Sequence, residues 1–471
     1  MIRVFNLYIP SSKLLLIVGD ALLLTAGILL LFGPAVPLDT VDDFGFYALV
    51  LLAAGIGLWS FYFSDLYEDS VLRDRGMVLA AGLRGLGLSA ILLTPLAWFV
   101  LRDGSTRSTM VEPLLALILL LLYLERRLSG WWLRRMTKGQ RVLLVGSGAT
   151  VQRLAEELSG KSGLPFKLAG VVVDPSRPFP TGSESVNPVP ADLRFAVVGT
   201  VDRLRDLVRS FRADRIVISS EIGFPNVPAS DLLALRRVGI RVQDAGELYE
   251  SVTGRVPVES VRANGLAFGE ALIPAPFTRA LHRAASFVSA VVLVVLLTPI
   301  GLLVALAVKL ESAGPVFYTQ ERVGLGGRSF RVIKFRSMRQ DAESASGPVW
   351  ATAKDSRVTR VGAVLRKLRL DELPQVVNVL RGDMCLVGPR PERPHFVSML
   401  EEKIAYYDLR HCIRPGITGW AQVCADYGSN VDESRIKLEY DLFYVKNAAL
   451  LFDLLILFKT IKIALCGRGA R

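Results

Sequence analysis

Histidine and cysteine are scarce in this sequence, which limits the kinds of site that it can build. Its 471 residues include 3 histidines and 4 cysteines, and no two cysteines form a CxxC pair. We expect the cysteines to be reduced thiols, because the spacing matches neither a disulfide framework nor a zinc motif. The histidines are too scattered to form a metal triad, and we assign them no catalytic role.

Acidic residues are outnumbered by basic ones. The chain has 44 Asp and Glu against 56 Lys and Arg, a formal net charge of +12 at pH 7. Such an excess can indicate nucleic-acid binding, but here the basic residues cluster beside apolar segments and form no tail. An anionic membrane surface and an anionic substrate account for them more simply. We therefore expect no nucleic-acid partner.

Long apolar runs, by contrast, are abundant. Hydrophobic residues make up 51% of the chain and the mean hydropathy is +0.40, values typical of a membrane protein. Runs at 14–32, 44–63 and 77–101 are each long enough to cross about 30 Å of hydrocarbon as a helix. A fourth run, 111–124, is shorter and would need snorkelling arginines or local thinning of the bilayer. No small-residue cleavage site ends the first run, which we expect to remain as an anchor.

The charges beside these runs predict their orientation. Segment 34–43 carries only acidic charges, whereas arginine and lysine crowd segment 126–141. The positive-inside rule then places the N-terminus and everything after residue 125 in the cytoplasm. That orientation requires an even number of spans and predicts a four-helix transmembrane region over residues 1–135. Asp20 and Arg84 lie inside apolar segments, where lone charges are costly, and could pair with each other.

From residue 140 the pattern changes to RVLLVGSGATVQRLAEEL, an apolar strand, a glycine turn and an amphipathic helix. Further strand-like runs follow, with helical segments such as 202–211 between them. This alternation predicts a small parallel sheet in a Rossmann-like α/β domain at residues 136–255. The strand-like runs are 168–173, 195–198, 215–218 and 240–242.

The glycine turn is an incomplete nucleotide-binding pattern. Gly146 and Gly148 are present, but Val151 stands where a third glycine would pack. Asp174 ends the second strand and could meet a ribose. The domain could therefore bind NAD or another nucleotide. A structural or regulatory domain without a ligand is favoured, because a partial glycine pattern is weak evidence.

Residues 256–276 are predicted to form a linker, and the next run, 286–310, is almost wholly apolar. Thr298 and Pro299 fall at its centre, where proline removes a backbone hydrogen bond and bends a helix. Basic residues flank both ends. A true span would place one of these basic clusters on the wrong side of the membrane. Two interpretations stay open: a kinked span, or a re-entrant helix that enters, breaks at Pro299 and returns.

Two adjacent acids, Asp371 and Glu372, lie between a basic run and a proline in LRKLRLDELPQVVNVLRGDMCLVGPRPE. Pro374 suits the first turn of a helix, so the carboxylates should stand near a helix N-terminus. Arginines and a positive helix end would keep a carboxylate ionised, able to attack phosphorus or to bind a cation. The alternative is that both acids merely cap the helix.

These acids belong to a series of blocks that resembles the bacterial sugar transferases, the monotopic polyprenyl-phosphate phosphoglycosyl transferases. The resemblance covers residues 277–471, and the hydrophobic segments and α/β domain ahead of it resemble the large members of the family, which begin exopolysaccharide, O-antigen or capsule assembly. Around the acid pair the blocks are GPVFYTQERVGLGGRSFRVIKFRSM (314–338), GPRPE (388–392), RPGITGWAQV (414–423) and YDLFYVKN (440–447).

The resemblance implies a fold and a location. We expect a multi-pass protein of the bacterial inner membrane, α plus α/β in class, with an N-terminal transmembrane helix bundle. Its C-terminal domain, 277–471, would be mainly helical, contain a re-entrant membrane helix and face the cytoplasm. The apolar but charge-punctuated stretch 440–465 is expected to lie in the membrane interface.

The resemblance also implies a reaction. Hexose 1-phosphate would pass from a UDP-hexose to undecaprenyl phosphate at the bilayer surface, with release of UMP. Asp371 would be the nucleophile, and Glu372 would help to hold Mg²⁺. Lys334, Arg336 and Arg390 are predicted to contact phosphate, and Asp441 to organise that substrate pocket.

Two other functions fit the sequence less well. A membrane-anchored nucleotide-sugar dehydratase or epimerase would need a complete GxGxxG-type site and a YxxxK base, and residues 277–471 contain neither. A non-enzymatic scaffold for polysaccharide assembly would leave the acid pair and its basic neighbours unexplained. The hexose stays open among glucose, galactose and N-acetylated sugars, and so does the oligomeric state, for which a homodimer is one expectation.

Overall fold

The structure is a computed structural model that describes residues 2–4, 7–9, 11–32, 43–68, 71, 75–100, 121, 123, 124, 126, 139–160, 164–174, 197–219, 227–258, 275–339, 357–425 and 430–466. The chain divides into two compact units. One comprises Met1–Val4, Tyr8–Arg141 and Leu158–Leu168, and the other Phe5–Leu7, Val142–Glu157 and Ala169–Arg471. The predicted boundary near residue 135 lies outside the described residues.

Three apolar helices dominate the first unit, and they coincide with the first three predicted runs. They follow two short strands, β1 (Ile2–Val4) and β2 (Leu7–Ile9). By length and composition, Gly76–Thr94 could cross a membrane, and Leu15–Leu29 and Tyr47–Phe63 are shorter apolar stretches. Most of the fourth predicted run, 111–124, lies outside the described residues. The helices are α1 (Ser11–Phe32), α2 (Asp43–Phe63) and α3 (Arg75–Val100).

Asp20 lies on α1 with its side chain fully buried, and its partner differs from the predicted one. Arg126 Nη2 and the Tyr67 hydroxyl both lie 2.6 Å from Asp20 Oδ2. The predicted pair with Arg84 is wrong, because Arg84 is exposed on α3 and its Nε donates to the Ala80 carbonyl. A buried carboxylate needs a cation in direct contact, and Arg126 supplies it.

The α/β region, residues 139–258, contains the predicted parallel sheet. Its five strands have the order β5-β4-β3-β6-β7, and the pairs β4–β5, β3–β6 and β6–β7 are parallel. Leu143, Val172 and Ile216 are buried in its core. The strands are β3 (Gln140–Val145), β4 (Phe166–Val173), β5 (Val197–Thr200), β6 (Arg215–Ile218) and β7 (Arg241–Asp244). The helices are α4 (Ala149–Gly160), α5 (Leu204–Ser210), α6 (Ala229–Arg237) and α7 (Ala245–Thr253).

The C-terminal region, residues 275–466, begins with a 36-residue helix, α8 (Pro276–Glu311). The helix is assigned on both sides of Pro299, and the predicted re-entrant break at that residue stays a prediction. Proline removes one backbone hydrogen bond, but the turns on both sides keep theirs, and the Thr298 hydroxyl donates to the Val294 carbonyl at 2.6 Å. Such a helix is about 54 Å long. It is also apolar enough to cross a membrane.

Both halves of α8 contact the C-terminal region, while the side chains between these contacts are largely exposed. In the first half, the Leu386 amide donates to Ser286 Oγ at 3.2 Å, and Arg283 donates to the Leu380 carbonyl at 3.1 Å. In the second half, Val304 and Val308 are buried in a cluster with Phe335 and Leu365. Between these contacts, the side chains of Val295, Leu302 and Leu303 are 67–70% exposed.

The rest of the C-terminal region combines an antiparallel hairpin with short helices. Its core includes Trp420, Leu442, Phe443 and Phe452. The hairpin consists of β8 (Phe317–Val323) and β9 (Ser329–Phe335). The other strands are β10 (Cys385–Val387) and β11 (Gly416–Thr418). The helices are α9 (Arg360–Lys367), α10 (Gln375–Arg381), α11 (Pro394–Lys403), α12 (Trp420–Cys424), α13 (Val431–Asn447) and α14 (Leu450–Cys466).

A parallel pair of strands, β10 and β11, joins the two glycine-containing blocks GPRPE and RPGITGWAQV. The backbones approach so closely that a Cβ on Gly416 would lie 2.1 Å from the Gly388 nitrogen. Only glycine fits at such a contact. The two blocks, separated in sequence, are thereby fixed beside each other.

Charged and polar contacts connect the α/β region to the C-terminal region. Arg153 of α4 pairs with Glu439 of α13 at 2.5 Å, and Glu250 of α7 pairs with Lys446 of α13 at 2.9 Å. The Trp420 indole N–H donates to the Gly254 carbonyl at 2.9 Å. The Val256 amide donates to the Glu439 carbonyl at 3.0 Å, and Val256 and Val258 are buried in the core of the C-terminal region, so the first residues of the predicted linker belong to a packed junction.

Candidate active site

The acid pair lies in a 3-10 turn, Leu370–Glu372, between α9 and α10. Arg369 enters the turn with a left-handed backbone, φ 54°, and Pro374 precedes the first residue of α10. The sequence placed the acids near a helix N-terminus, and the structure puts them just before one. A tight turn in this position presents two adjacent side chains to different surroundings.

Glu372 is held by two cations. Arg390 Nη2 lies 2.5 Å from Oε1 and Arg390 Nη1 lies 3.3 Å from Oε2, a two-pronged contact, while Lys334 Nζ lies 3.1 Å from Oε1. Burial alone would raise the pKa of Glu372, but Arg390 and Lys334 hold it well below its ordinary value. Glu372 is therefore a fixed negative charge.

Asp371 has the opposite environment. It is 8% exposed, and within the described part of the chain no group donates a hydrogen bond to its carboxylate. Burial and then the neighbouring charge of Glu372 raise its pKa, against the weaker effects of Lys334, Arg366 and Arg390. The sequence suggested that basic neighbours would favour its ionised form. The nearest cations instead contact Glu372, which leaves Asp371 with oxygens available to a substrate.

Lys334 and Arg390, two of the predicted phosphate contacts, converge on this site from separate elements. Lys334 comes from β9 and Arg390 follows β10. Burial lowers the pKa of Lys334, while the charge of Glu372 opposes that shift. Cations this close to an acid pair could also contact the diphosphate of a nucleotide sugar. The structure thus brings four predicted site residues together.

Arg410 supports this cluster and was not singled out in the sequence. Its guanidinium donates to the Arg390 carbonyl at 2.8 Å and lies 2.8 Å from Asp441 Oδ2. It also contacts the Tyr407 hydroxyl. The only sequence feature that could have indicated Arg410 is its position just before RPGITGW. The sequence does not indicate which of its many arginines is buried.

Asp441 influences Arg390 and the acid pair only indirectly, through Arg410. Its side chain is buried and faces Arg410, which in turn holds Arg390. Burial raises the pKa of Asp441 to about 6, with Arg410 opposing the shift. The predicted role in organising the pocket fits this position, whereas a direct contact with substrate does not.

Arg336, the third predicted phosphate contact, has a different position. Its guanidinium donates to the Ser312 carbonyl at 2.7 Å, the Ser312 hydroxyl at 2.8 Å and the Ala313 carbonyl at 3.1 Å. These groups follow the C-terminal end of α8, where cations are favoured. We correct the prediction accordingly: Arg336 fixes the end of the long helix.

The donor set is compatible with magnesium. Mg²⁺ typically binds one or two carboxylates together with waters and substrate phosphates. Asp371 has free carboxylate oxygens, and the Glu372 oxygens keep lone pairs beyond those used by Arg390 and Lys334. In the described part of the chain, no group of three His, Cys, Asp or Glu side chains forms a ready cage. An ion here would therefore depend on substrate oxygens.

The glycine turn of the α/β region is held by backbone and core contacts. Gly146 has a φ of +127°, and its N–H donates to the Val172 carbonyl at 2.9 Å. Val151 is 1% exposed and packs in the core, and Asp174 is 3% exposed. Gly148 precedes α4 directly. A nucleotide site at Gly146, Gly148 and Asp174 stays a prediction.

Comparison with known proteins links these features to one family. The family model described as bacterial sugar transferase matches residues 277–467. A UDP-N-acetylgalactosamine-undecaprenyl-phosphate N-acetylgalactosaminephosphotransferase from Aeromonas hydrophila is 47% identical over 232 residues, 49% of this chain and 54% of the relative. An undecaprenyl-phosphate glucose phosphotransferase from Komagataeibacter xylinus is 32% identical over 366 residues, 76% of this chain and 65% of the relative. These matches cover less than two thirds of either relative.

A third relative is matched over more of its length. The UDP-glucose:undecaprenyl-phosphate glucose-1-phosphate transferase of Escherichia coli (strain K12) is 31% identical over 347 residues, which are 71% of this chain and 70% of that protein. The match extends well beyond the segment covered by the family model. The chain belongs to the bacterial sugar transferase family.

Proposed function

We propose that the protein transfers hexose 1-phosphate from a UDP-hexose to undecaprenyl phosphate and releases UMP, as an initiating step of exopolysaccharide, O-antigen or capsule synthesis. The observation that carries this proposal is the division of the acid pair. Glu372 is fixed by Arg390 and Lys334, whereas the Asp371 carboxylate has no hydrogen-bond donor among the described residues. A buried carboxylate without a partner beside clustered cations is typical of a catalytic group.

The reaction proceeds in two displacements. An Asp371 oxygen forms a bond to the sugar-linked phosphorus, and the bond from that phosphorus to the bridging oxygen breaks, so that UMP leaves with the electron pair. A phosphosugar then remains on Asp371. A phosphate oxygen of undecaprenyl phosphate attacks the same phosphorus, which releases the Asp371 carboxylate and yields the lipid-linked diphosphosugar.

The neighbouring charges serve this chemistry. Arg390 and Lys334 face the position where the diphosphate must lie, and their charges favour its binding. Glu372 keeps both cations in place. Magnesium, when bound through Asp371, Glu372 and substrate oxygens, would supply positive charge that stabilises the departing phosphate.

The environment of α8 supports a membrane-surface location facing the cytoplasm. Its two halves contact the same C-terminal region, and its exposed middle is apolar. A straight span would carry the two ends to opposite sides of the bilayer, away from at least one of these contacts. We therefore propose that α8 enters the inner membrane and returns, and that α1, α2 and α3 contribute to a multi-pass anchor.

The hexose could be an N-acetylated sugar or a sugar without the N-acetyl group. The relatives include an N-acetylgalactosamine-phosphate transferase and two glucose-phosphate transferases. A panel of UDP-glucose, UDP-galactose and their N-acetylated counterparts, assayed for UMP release with undecaprenyl phosphate, would identify the donor. Size-exclusion chromatography with light scattering in detergent would test the homodimer.

The decisive experiment replaces the nucleophile. We expect Asp371→Asn to lower UMP release by at least about a thousandfold, because the amide cannot form the acyl phosphate. The control is Asp408→Asn, an exposed aspartate of the same region, which should retain activity. Sugar-labelled UDP-hexose added without acceptor should leave label on the wild-type protein and none on Asp371→Asn. Full turnover by the Asp371 variant would exclude the covalent scheme.

The membrane path of α8 can be tested with two matched cysteines. Ala284 and Ala313 are exposed residues near the two ends of the helix. Single Ala→Cys variants in vesicles of one orientation should react equally with an impermeant maleimide. Labelling of one variant from outside and of the other only from inside would refute the re-entrant path.

A further inference from the structure

A second pocket lies at the start of α8, away from the acid pair. Its volume is about 380 Å³, and its surface is mainly apolar. Three guanidinium groups line it, from Arg279 and Arg283 of α8 and from Arg414 before β11. Apolar side chains together with a cluster of arginines suit a ligand that is apolar at one end and anionic at the other.

The pocket and the acid pair lie at opposite ends of α10. Arg283 and Arg414 hold the carbonyls of Leu380 and Gly382, at 3.1 Å and 3.0 Å, at the C-terminal end of that helix. Asp371 and Glu372 precede its N-terminal end. Seven residues of α-helix span about 10 Å, so a phosphate held in this pocket cannot also react at Asp371.

The charge of the pocket is positive on balance. Its lining contains no acidic residue. Asp453, a carboxylate that contacts two lining residues, is already occupied: His282 Nδ1 lies 2.6 Å from Oδ2, and the Tyr444 hydroxyl donates to Oδ1 at 2.7 Å. His282 lines the pocket, and within the described part of the chain its Nε2 is buried without a hydrogen-bond partner. Arginine guanidinium groups are strong donors to phosphate oxygens.

The neighbourhood of the pocket indicates where its ligand comes from. The exposed apolar face of α8 begins within a turn or two, at Phe287 (44% exposed) and Val288 (63% exposed). A ligand that enters beside this face comes from a bilayer. Its anionic group would stay at the level of the arginines while its chains follow the helix.

We propose that this pocket binds the headgroup phosphate of a bilayer phospholipid, at a site separate from the site of phosphosugar transfer. The phosphate contacts Arg279 and the free N–H groups of Arg283 and Arg414, beside the His282 ring. The bound lipid fixes the first turn of α8 against β10 and the segment that carries Arg414. The inference does not depend on the proposed reaction.

Binding of phosphatidylglycerol to the full chain, purified in a neutral detergent, tests the proposal. Arg279 is the best position to change, because its side chain is exposed and the neighbouring arginines also hold carbonyls. We expect Arg279→Gln to weaken phosphatidylglycerol binding about tenfold, the effect of losing one charge-assisted hydrogen bond. Arg237→Gln, an exposed arginine on α6, removes the same charge elsewhere and should leave binding unchanged. Ala280→Trp, which fills the pocket, should also abolish binding.

Three further measurements distinguish the sources of phosphate. Diacylglycerol, which lacks phosphate, should not compete, and inorganic phosphate should compete only weakly because it leaves the apolar lining empty. Undecaprenyl phosphate that displaces phosphatidylglycerol with higher affinity, in a manner sensitive to Arg279→Gln, would assign the pocket to the acceptor and overturn the proposal. Equal binding by wild type, Arg279→Gln and Ala280→Trp would overturn it too. Asp371→Asn should bind phosphatidylglycerol normally, so the result is independent of the transfer reaction.

Discussion

The α/β region and the C-terminal region use their charged side chains in different ways. In the α/β region, Arg153 of α4 pairs with Glu439 across the junction, and Glu157 of α4 pairs with Arg255 within the region. In the C-terminal region two cations share one carboxylate, Glu372, and leave its neighbour without a donor. Paired charges stabilise a fold, whereas an acid left open beside cations is suited to chemistry. We therefore expect changes in the two regions to affect different measurements.

The largest effect after loss of the nucleophile is expected at Glu372. We predict that Glu372→Gln lowers UMP release about a hundredfold, because Arg390 and Lys334 lose the charge that positions them. Removing this charge should also lower the pKa of Asp371, since Glu372 raises it. Asp371 then stays ionised to lower pH. The acidic limb of the pH–rate profile, measured on the residual activity, should move to lower pH.

The control for this prediction is Glu402→Gln on α11, an exposed glutamate of the same region, which should leave both rate and profile unchanged. An acidic limb that moves to higher pH in Glu372→Gln would contradict the electrostatic coupling of the two acids.

Arg410 should show the next largest effect. Arg410→Met releases the Arg390 carbonyl and leaves Asp441 as a buried charge without its cation, so we expect about tenfold slower turnover and a loss of about 3 kcal/mol in unfolding free energy. The double variant Arg410→Met/Asp441→Leu removes the stranded charge. It should regain much of the stability, measured by chemical denaturation, and stay slow. Recovery of full turnover in the double variant would show that Arg410 stabilises the fold and does not position Arg390.

The junction should affect stability more than catalysis. Arg153→Met removes the 2.5 Å ion pair to the buried Glu439, and we expect unfolding free energy to fall by about 2 kcal/mol with turnover changed by less than about twofold. Arg205→Met is the matched control in the same region, because the Arg205–Asp231 pair is largely exposed. It should cost less than about 1 kcal/mol. A tenfold loss of turnover in Arg153→Met would mean that the junction controls the acid pair.

The smallest effect on turnover is expected at Gly146. Its φ of +127° favours glycine, and an added Cβ would lie 3.1 Å from the Ser219 Cβ. Gly146→Ala should therefore destabilise the protein by about 1 kcal/mol and leave UMP release unchanged. Slower turnover with unchanged stability would instead assign a functional role to the glycine turn.

Local patterns predicted much of the fold. Run 215–218 has the bounds of β6, and runs 168–173 and 240–242 overlap β4 and β7, because buried parallel strands are short, apolar and bounded by polar residues. The course of α8 through the membrane stays a prediction. Helix is assigned on both sides of Pro299, and whether α8 bends sharply there depends on contacts along its whole length, which the local sequence does not give. The β8–β9 hairpin was also missed within a region expected to be mainly helical.

The sequence predicted which residues form the candidate site, but not how they contact one another. Asp371, Glu372, Lys334 and Arg390 stand out in the sequence and lie together in the structure. Which cation holds which carboxylate depends on the pairing of distant strands, and no spacing along the chain reveals it. Arg336 illustrates this limit. Its sequence block predicts a phosphate contact, whereas in the structure its guanidinium donates to the Ser312 carbonyl at the end of α8.

The attachment of α8 at both of its ends has a consequence for what must happen after the proposed reaction. On the proposed re-entrant path α8 does not cross the bilayer, so the proposed lipid-linked product would stay in the leaflet where it is made. Moving a polar diphosphosugar through hydrocarbon is very unfavourable without help. The proposed function therefore predicts a separate flipping activity that moves this product before its sugar is used on the outer side.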